Sequence, residues 1–199
     1  MQPVASVFVL LYTCAVRANG QPFSFSRTLG DHAVLQNPIV IWGTGTSGDS
    51  VSKTISTGSS ETMNTTVGLD GIWRQALPTM KEGLEAFSLI LRSSSGSISL
   101  QDLLVGKSFL CSGQSNIDLV VMKKAFNATN EIATCADYPH IRIARPVRHN
   151  SWDGPQTDLP LPMQQPWAAP DAANCAGFSA TCFFAARSLF TSLGSATPV

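Results

Sequence analysis

The sequence predicts a two-part α/β fold, with a β-rich, sandwich-like domain over residues 21–104 and an α/β domain that opens at residue 105. Three observations carry this expectation. Up to Leu100, short alternating apolar and polar runs recur about every ten residues between Gly, Ser and Asp clusters, a rhythm of sandwiches and barrels rather than of βαβ units. After Leu100 the order changes to a short apolar run, a tight turn and a helix-compatible stretch. Finally, Phe178, Cys182, Ala186, Leu189, Phe190 and Leu193 recur at three- and four-residue steps, the spacing of an amphipathic helix whose Phe stripe faces a core.

Taken in order, the first element is a leader. Val4 to Val16 reads VASVFVLLYTCAV, which is the length of a signal-peptide apolar region and too short to cross a bilayer. Small residues at 16–20 suit cleavage, so residues 1–20 are expected to be a signal peptide, although no charged segment precedes the apolar run. No other stretch reaches transmembrane length, so no membrane span is expected after cleavage. Entry into the secretory pathway, with a lysosomal or extracellular destination, gives meaning to the sequons at Asn64 and Asn127 as glycosylation sites. Loss of the leader removes Cys14 and leaves Cys111, Cys135, Cys175 and Cys182. That even number is compatible with disulfides in an oxidising compartment, but the spacing does not assign pairs, and Cys111 and Cys182 read equally well as buried free thiols.

The β-rich part begins with IVIW at Ile39–Trp42, passes through the turn-rich GTGTSGDS, and resumes with alternating Val51, Lys53 and Ile55. ETMNTTV, IWRQALP and LEAFSLILR continue the pattern. In the second part, KSFLC is expected to be a strand ending at Cys111, IDLVVMKKAFNATNEIA a helix, and IRIAR (Ile141–Arg145) a second strand of a parallel sheet. Six prolines between Arg145 and Asp171 then predict a long loop.

Composition narrows the function classes. The 199-residue chain is 44% apolar and 13% charged, with 13 basic and 13 acidic side chains, which fits a globular protein with a core of its own. No Lys/Arg run, zinc-knuckle spacing or RNA-binding signature is present, so nucleic acid is not an expected partner. No set of residues has metal-ligand spacing, and neither a metal nor a cofactor is expected.

The chemistry concentrates at CSGQSN, Cys111–Asn116. Ser115 follows the expected strand at the carboxyl edge of an α/β sheet, where residues face the crevice. Gly113 lets the chain turn sharply, Gln114 helps shape the turn, and the backbone N–H groups of Ser115 and Asn116 could face a developing oxyanion. Read locally, the same residues are also an ordinary helix cap. The box is not a G-x-S-x-G elbow, because Ile117 stands at the second glycine position.

Several segments in order resemble the animal sialate O-acetylesterases, which are SGNH-type serine hydrolases. GDHAVLQ is similar to the family's N-terminal signature, IWGTGTSGDSVSKT to its Gly-rich hairpin, and DLLVGKSFLCSGQSN to the stretch that delivers the nucleophile. FNATNE, PHIRIA and FSATCFFAARSLF are similar in order and spacing, so the resemblance runs from about Phe23 to Leu193. It implies an incomplete SGNH-type, flavodoxin-like three-layer hydrolase domain over 105–199, truncated where relatives continue into a third strand. It also implies hydrolysis of O-acetyl esters of sialic acids or sialoglycoconjugates, with the 9-position the usual one, by a serine acyl-enzyme route with Ser115 as nucleophile and no cofactor. Ile117 stands in place of the family's usual Met, and Gly30 and Ala33 differ from its bulkier residues.

In such hydrolases the catalytic His and its carboxylate come late, and here they are expected beyond Val199. Asp137-Tyr138-Pro139-His140 spells D-x-x-H, but it precedes the second strand instead of following the last, so His140 is expected to be a surface residue. His32 and His149 are expected to be structural or solvated. The alternative function is a non-catalytic secreted glycoprotein that binds carbohydrate or a protein partner.

Overall fold

The computed structural model describes residues 21–56, 64–147, 157–159 and 163–199. The expected leader, His149 and about half of the proline-rich stretch lie outside these. Eight strands fill the first half: β1 (Ser24–Phe25), β2 (Val34–Leu35), β3 (Val40–Thr44), β4 (Ser50–Ile55), β5 (Asn64–Thr66), β6 (Ile72–Ala76), β7 (Gly83–Ser93) and β8 (Gly96–Val105). They form a three-stranded sheet in the order β1-β3-β6 and a five-stranded one in the order β2-β8-β7-β4-β5. Only β2 and β8 run parallel among these pairs.

Period-two patterning explains where the core lies. Phe87, Leu89 and Leu91 of β7 are buried on one face, as alternate strand residues must be. They join Val51, Leu100 and Leu103 from the same sheet and Ile41 and Trp73 from the other in one apolar cluster. Trp73 is fully buried, its Nε1 donates to the Thr44 carbonyl at 2.9 Å, and the rings of Phe23 and Phe25 pack against it. Lys53 points inward with Val51 and is buried, its Nζ donating to the Ala76 carbonyl at 3.0 Å.

The Gly-rich segment after β3 is not a hairpin, contrary to the resemblance. β3 is flanked by β1 and β6, so neither of its edges is open to β4, and the turn carries the chain into the other sheet. The β7–β8 pairing contains a bulge. Phe87 faces Leu103 while Leu89 faces Leu100, so β8 carries an extra residue, and Asp102 takes up the left-handed backbone (φ +51°).

Three expectations for the second half do not hold. KSFLC is not a strand: β8 ends at Val105, Lys107–Gly113 is irregular, and Phe109 and Leu110 are 63% and 93% exposed. An apolar run becomes a strand only where another strand offers hydrogen bonds, and here the backbone is instead anchored at Lys107 N, which donates to the Pro198 carbonyl at 2.8 Å. A Cβ at Gly106 would run into that same carbonyl. Second, the single helix is broken into α1 (Val121–Lys124) and α2 (Ala128–Ala133), because Ala125 is extended and Asn127 is left-handed (φ +55°). A 3₁₀ turn at Cys135–Asp137 follows.

Third, the IRIAR strand does form, as β9 (Ile143–Pro146), but it pairs antiparallel with β10 (Met163–Ala168) in the stretch expected to be loop. Pro166 has no N–H to give, and the pairing accommodates it with shifts of register on either side of Gln165. Parallel pairing in this half is made by the last residue: Arg142 N donates to the Val199 carbonyl and Val199 N to that of His140. After α3 (Ala172–Ala176) comes α4 (Ala180–Ser192), the helix expected over 178–193, with Ser179 Oγ capping the Cys182 N–H. The architecture is mixed α/β. Among the described residues no helix is long and apolar enough to cross a membrane.

Candidate active site

Ser115 sits in a tight turn closed by the Ile117 N–H donating to the Gln114 carbonyl at 3.0 Å. Gln114, Ser115 and Asn116 are all exposed. Gly113 is required by close approach, since a Cβ there would come within 2.7 Å of Ile117 Cγ1. No helix starts at Ser115 or directly after it, contrary to the expected helix from Ile117; α1 begins only at Val121. The backbone N–H groups of Ser115 and Asn116 nevertheless have no acceptor among the described residues and point to no competing bond.

Two devices hold this turn. The segment after it runs antiparallel to the start of α4: Ala180 N donates to the Leu119 carbonyl at 2.8 Å, Val121 N to that of Phe178 at 3.0 Å, and Thr181 Oγ1 approaches the Asn116 carbonyl at 3.4 Å. Before it, Cys111 is disulfide-bonded to Cys182 in the first turn of α4. Cys135 and Cys175 form the second disulfide, between the 3₁₀ turn and α3, inside a small core with Val121 and Phe183. The free-thiol reading of Cys111 and Cys182 is therefore replaced by a bridge, because α4 packs beside Asn116–Val121 and brings the two Cα atoms to 6.0 Å.

No histidine hydrogen-bonds to Ser115 among the described residues. His140 is half-buried instead of fully solvated: its Nδ1 is buried without a partner among the described residues and its ring packs against Phe190. His32 is structural. Its Nδ1 lies 2.7 Å from Asp102 Oδ2, which also receives Arg142 Nη1 at 2.9 Å, so the cluster joins the bulge in β8 to the segment leading into β9. Burial pushes the Asp102 carboxyl up, but the His32 hydrogen bond and the Arg142 charge outweigh it and hold the group below the ordinary carboxylate range. A carboxyl lowered in the folded state stabilises the fold above its unfolded pKa, and that contribution is lost as pH falls through the lowered value. Asp102→Ala is expected to cost about 2 kcal/mol at neutral pH, between an exposed and a fully buried pair, since Arg142 is 8% exposed and Asp102 36%. The deficit should shrink in melts below about pH 3.8, the unfolded carboxylate value; an equal deficit at acid and neutral pH would refute the assignment.

Sequence reasoning missed a group next to the turn. Arg145 at the end of β9 donates from Nη2 to Asp118 Oδ1 at 2.8 Å and from Nη1 to the Gly177 carbonyl at 2.7 Å. The visible signal was the second of two arginines, Arg142 and Arg145, in the otherwise apolar run IRIAR.

Comparison with known proteins supplies the lineage. The chain is 30% identical to the sialate O-acetylesterase of Rattus norvegicus over 213 aligned residues, which take in 96% of this chain and 38% of that protein. For the Homo sapiens sialate O-acetylesterase the identity is 30% over 211 residues, again 96% and 38%. The chain is a homologue of the sialate O-acetylesterases. It spans less than two fifths of the length of these sialate O-acetylesterases. A crystal structure of a carbohydrate acetylesterase from Xanthomonas citri has the same fold over 88% of this chain and 38% of that one, with a TM-score of 0.76 at 24% identity. No protein-family model matches the chain.

Proposed function

We propose that these residues form the nucleophile half of a carbohydrate O-acetylesterase, with Ser115 the attacking group and an O-acetylated sialic acid, acetylated at the 9-hydroxyl, the substrate. The observation that carries this reading is an exposed serine in a glycine-preceded turn with two unengaged backbone N–H donors, in a homologue of sialate O-acetylesterases. Ser115 Oγ adds to the acetyl carbonyl, the N–H groups of Ser115 and Asn116 receive the oxyanion, and the sugar hydroxyl leaves with a proton. Water then releases acetate from the acyl-serine. The base that takes the Ser115 proton is supplied by residues other than those described. The secretory pathway is the proposed compartment, supported by exposed Asn64 and Asn127 and four paired cysteines.

Acetate release from 9-O-acetyl-N-acetylneuraminic acid tests this. The 199-residue chain alone is expected to turn over at the background rate, because no histidine among the described residues bonds to Ser115. Turnover by it that depends on Ser115 would overturn the external base. The lack of a base at Ser115 among the described residues favours a second reading, a glycoprotein that binds carbohydrate without turnover, which predicts glycan binding and no serine-dependent acetate release in any polypeptide containing these residues.

A further inference from the structure

A cleft of about 340 Å³ is lined by β10, α3 and Arg145, and none of the expected site residues lines it. β10 contributes Gln164, Gln165 and Pro166, α3 contributes Asn174, and Arg145 and Gly177 complete the lining named here. Its volume is within the range of small-molecule sites, about 300–1,000 Å³. Arg145 connects it to Ser115's turn, because the Asp118 carboxylate that it binds is three residues after the serine.

From these residues we infer that the cleft is a subsite for a neutral, polyhydroxylated sugar ring, not for a sugar carboxylate. Among the described residues one cation lines it, and it is already committed: Arg145 pairs with Asp118 at 2.8 Å and holds the Gly177 carbonyl at 2.7 Å. An anion entering would lose its hydration without gaining a free partner. Hydroxyls match what remains. Gln165 lines the cleft and its Nε2 has no acceptor among the described residues; that atom is closed off from solvent, and a turn of the side chain brings it to an incoming hydroxyl oxygen, which removes the cost of the unmade bond. Gln164, exposed on the same strand, has no hydrogen bond among the described residues and offers both a donor and an acceptor. Asn174 is fixed, its Oδ1 accepting from Asp171 N and its Nδ2 donating to the Ala169 carbonyl, so it is a rigid wall. The Pro166 ring supplies the apolar surface on which the C–H face of a pyranose packs. The acylated residue occupies Ser115's turn and the neutral residue of the same glycan occupies the cleft. The inference rests on the esterase reading for this biological role, but not for the binding itself.

Saturation-transfer NMR on the 199-residue chain with methyl β-galactopyranoside as the neutral probe and N-acetylneuraminic acid as the anionic one tests it. The neutral probe is expected to bind with a Kd of about 1–10 mM, as suits a small ligand with few contacts. Gln164→Ala and Gln165→Leu should each weaken it about fivefold, the loss of one hydrogen bond. Gln164 is exposed, so its variant reports even if the other fails to fold. Ser115→Ala should leave this binding unchanged. Equal binding by both Gln variants, binding of the anionic probe that Gln164→Ala weakens as much as the neutral one, or no saturation transfer from the neutral probe would overturn the inference. Failure of serine-dependent hydrolysis with cleft binding intact would instead remove the esterase reading and leave this one standing.

Discussion

Ser115→Ala is expected to lower acetate release by about 10⁴-fold or more in any polypeptide in which these residues support turnover, since removal of a nucleophile leaves only the contribution of binding and oxyanion contacts. The same change should hardly affect folding. Ser115 is exposed and its hydroxyl has no partner among the described residues, and surface changes of that kind fall within about 0.5 kcal/mol. The pairing of a large kinetic loss with an unchanged melt is what separates a nucleophile from a structural cap. Steady-state acetate release and thermal melts of the two proteins give the comparison. Equal rates would end the case for Ser115, whatever the substrate. A fallen melting temperature beside a fallen rate would assign the turn a structural role instead.

Local pattern was sufficient for the inward faces of β4 and β7 and insufficient for strand pairing. Alternation at Phe87, Leu89 and Leu91 and at Val51 and Lys53 marks which side chains face inward, because a strand's period of two is a property of the strand itself. Whether β4 pairs with β3 or with β7 depends on which edges are free, and that is decided by residues far along the chain. The same reason explains KSFLC and Met163–Ala168. An apolar run with no open edge beside it stays irregular, and a proline-containing run with β9 beside it becomes a strand. Asp102 is a subtler case. Nothing in GSISLQDLLV signals a left-handed residue, yet Asp tolerates that conformation, and the bulge turns its carboxylate to meet His32 and Arg142.

The site divides along the same line. Gly113, Gln114, Ser115 and Asn116 are contiguous, so their turn could be read from six residues, and the structure places them together and exposed. Arg145 and Asp118 are 27 positions apart, and their ion pair depends on β9 reaching the turn. The cleft between β10 and α3 has still less local signature, because Gln164 and Gln165 read as ordinary polar loop residues until β10 forms.

The disulfide between Cys111 and Cys182 should matter to this site beyond its effect on stability. It closes a span of 71 residues, for which chain entropy alone predicts about 4 kcal/mol. Cys111→Ser combined with Cys182→Ser is therefore expected to lower the melting temperature by on the order of 10 °C for a chain of this size. The Cys135–Cys175 bridge spans 40 residues and should cost at least as much, because both sulfurs are fully buried and serine hydroxyls there would lack water. What distinguishes the two is location. Only the first bridge fixes the irregular segment that leads into Gly113, where Phe109 and Leu110 contribute little packing of their own. Its loss should speed hydrogen exchange at residues 112–118 well before global unfolding, while loss of the second should expose α2 and α3 first. Exchange measured on both variants at one temperature decides the matter: protection at 112–118 that survives the Cys111 and Cys182 changes would show that the pairing with α4 holds the Ser115 turn without help from the bridge.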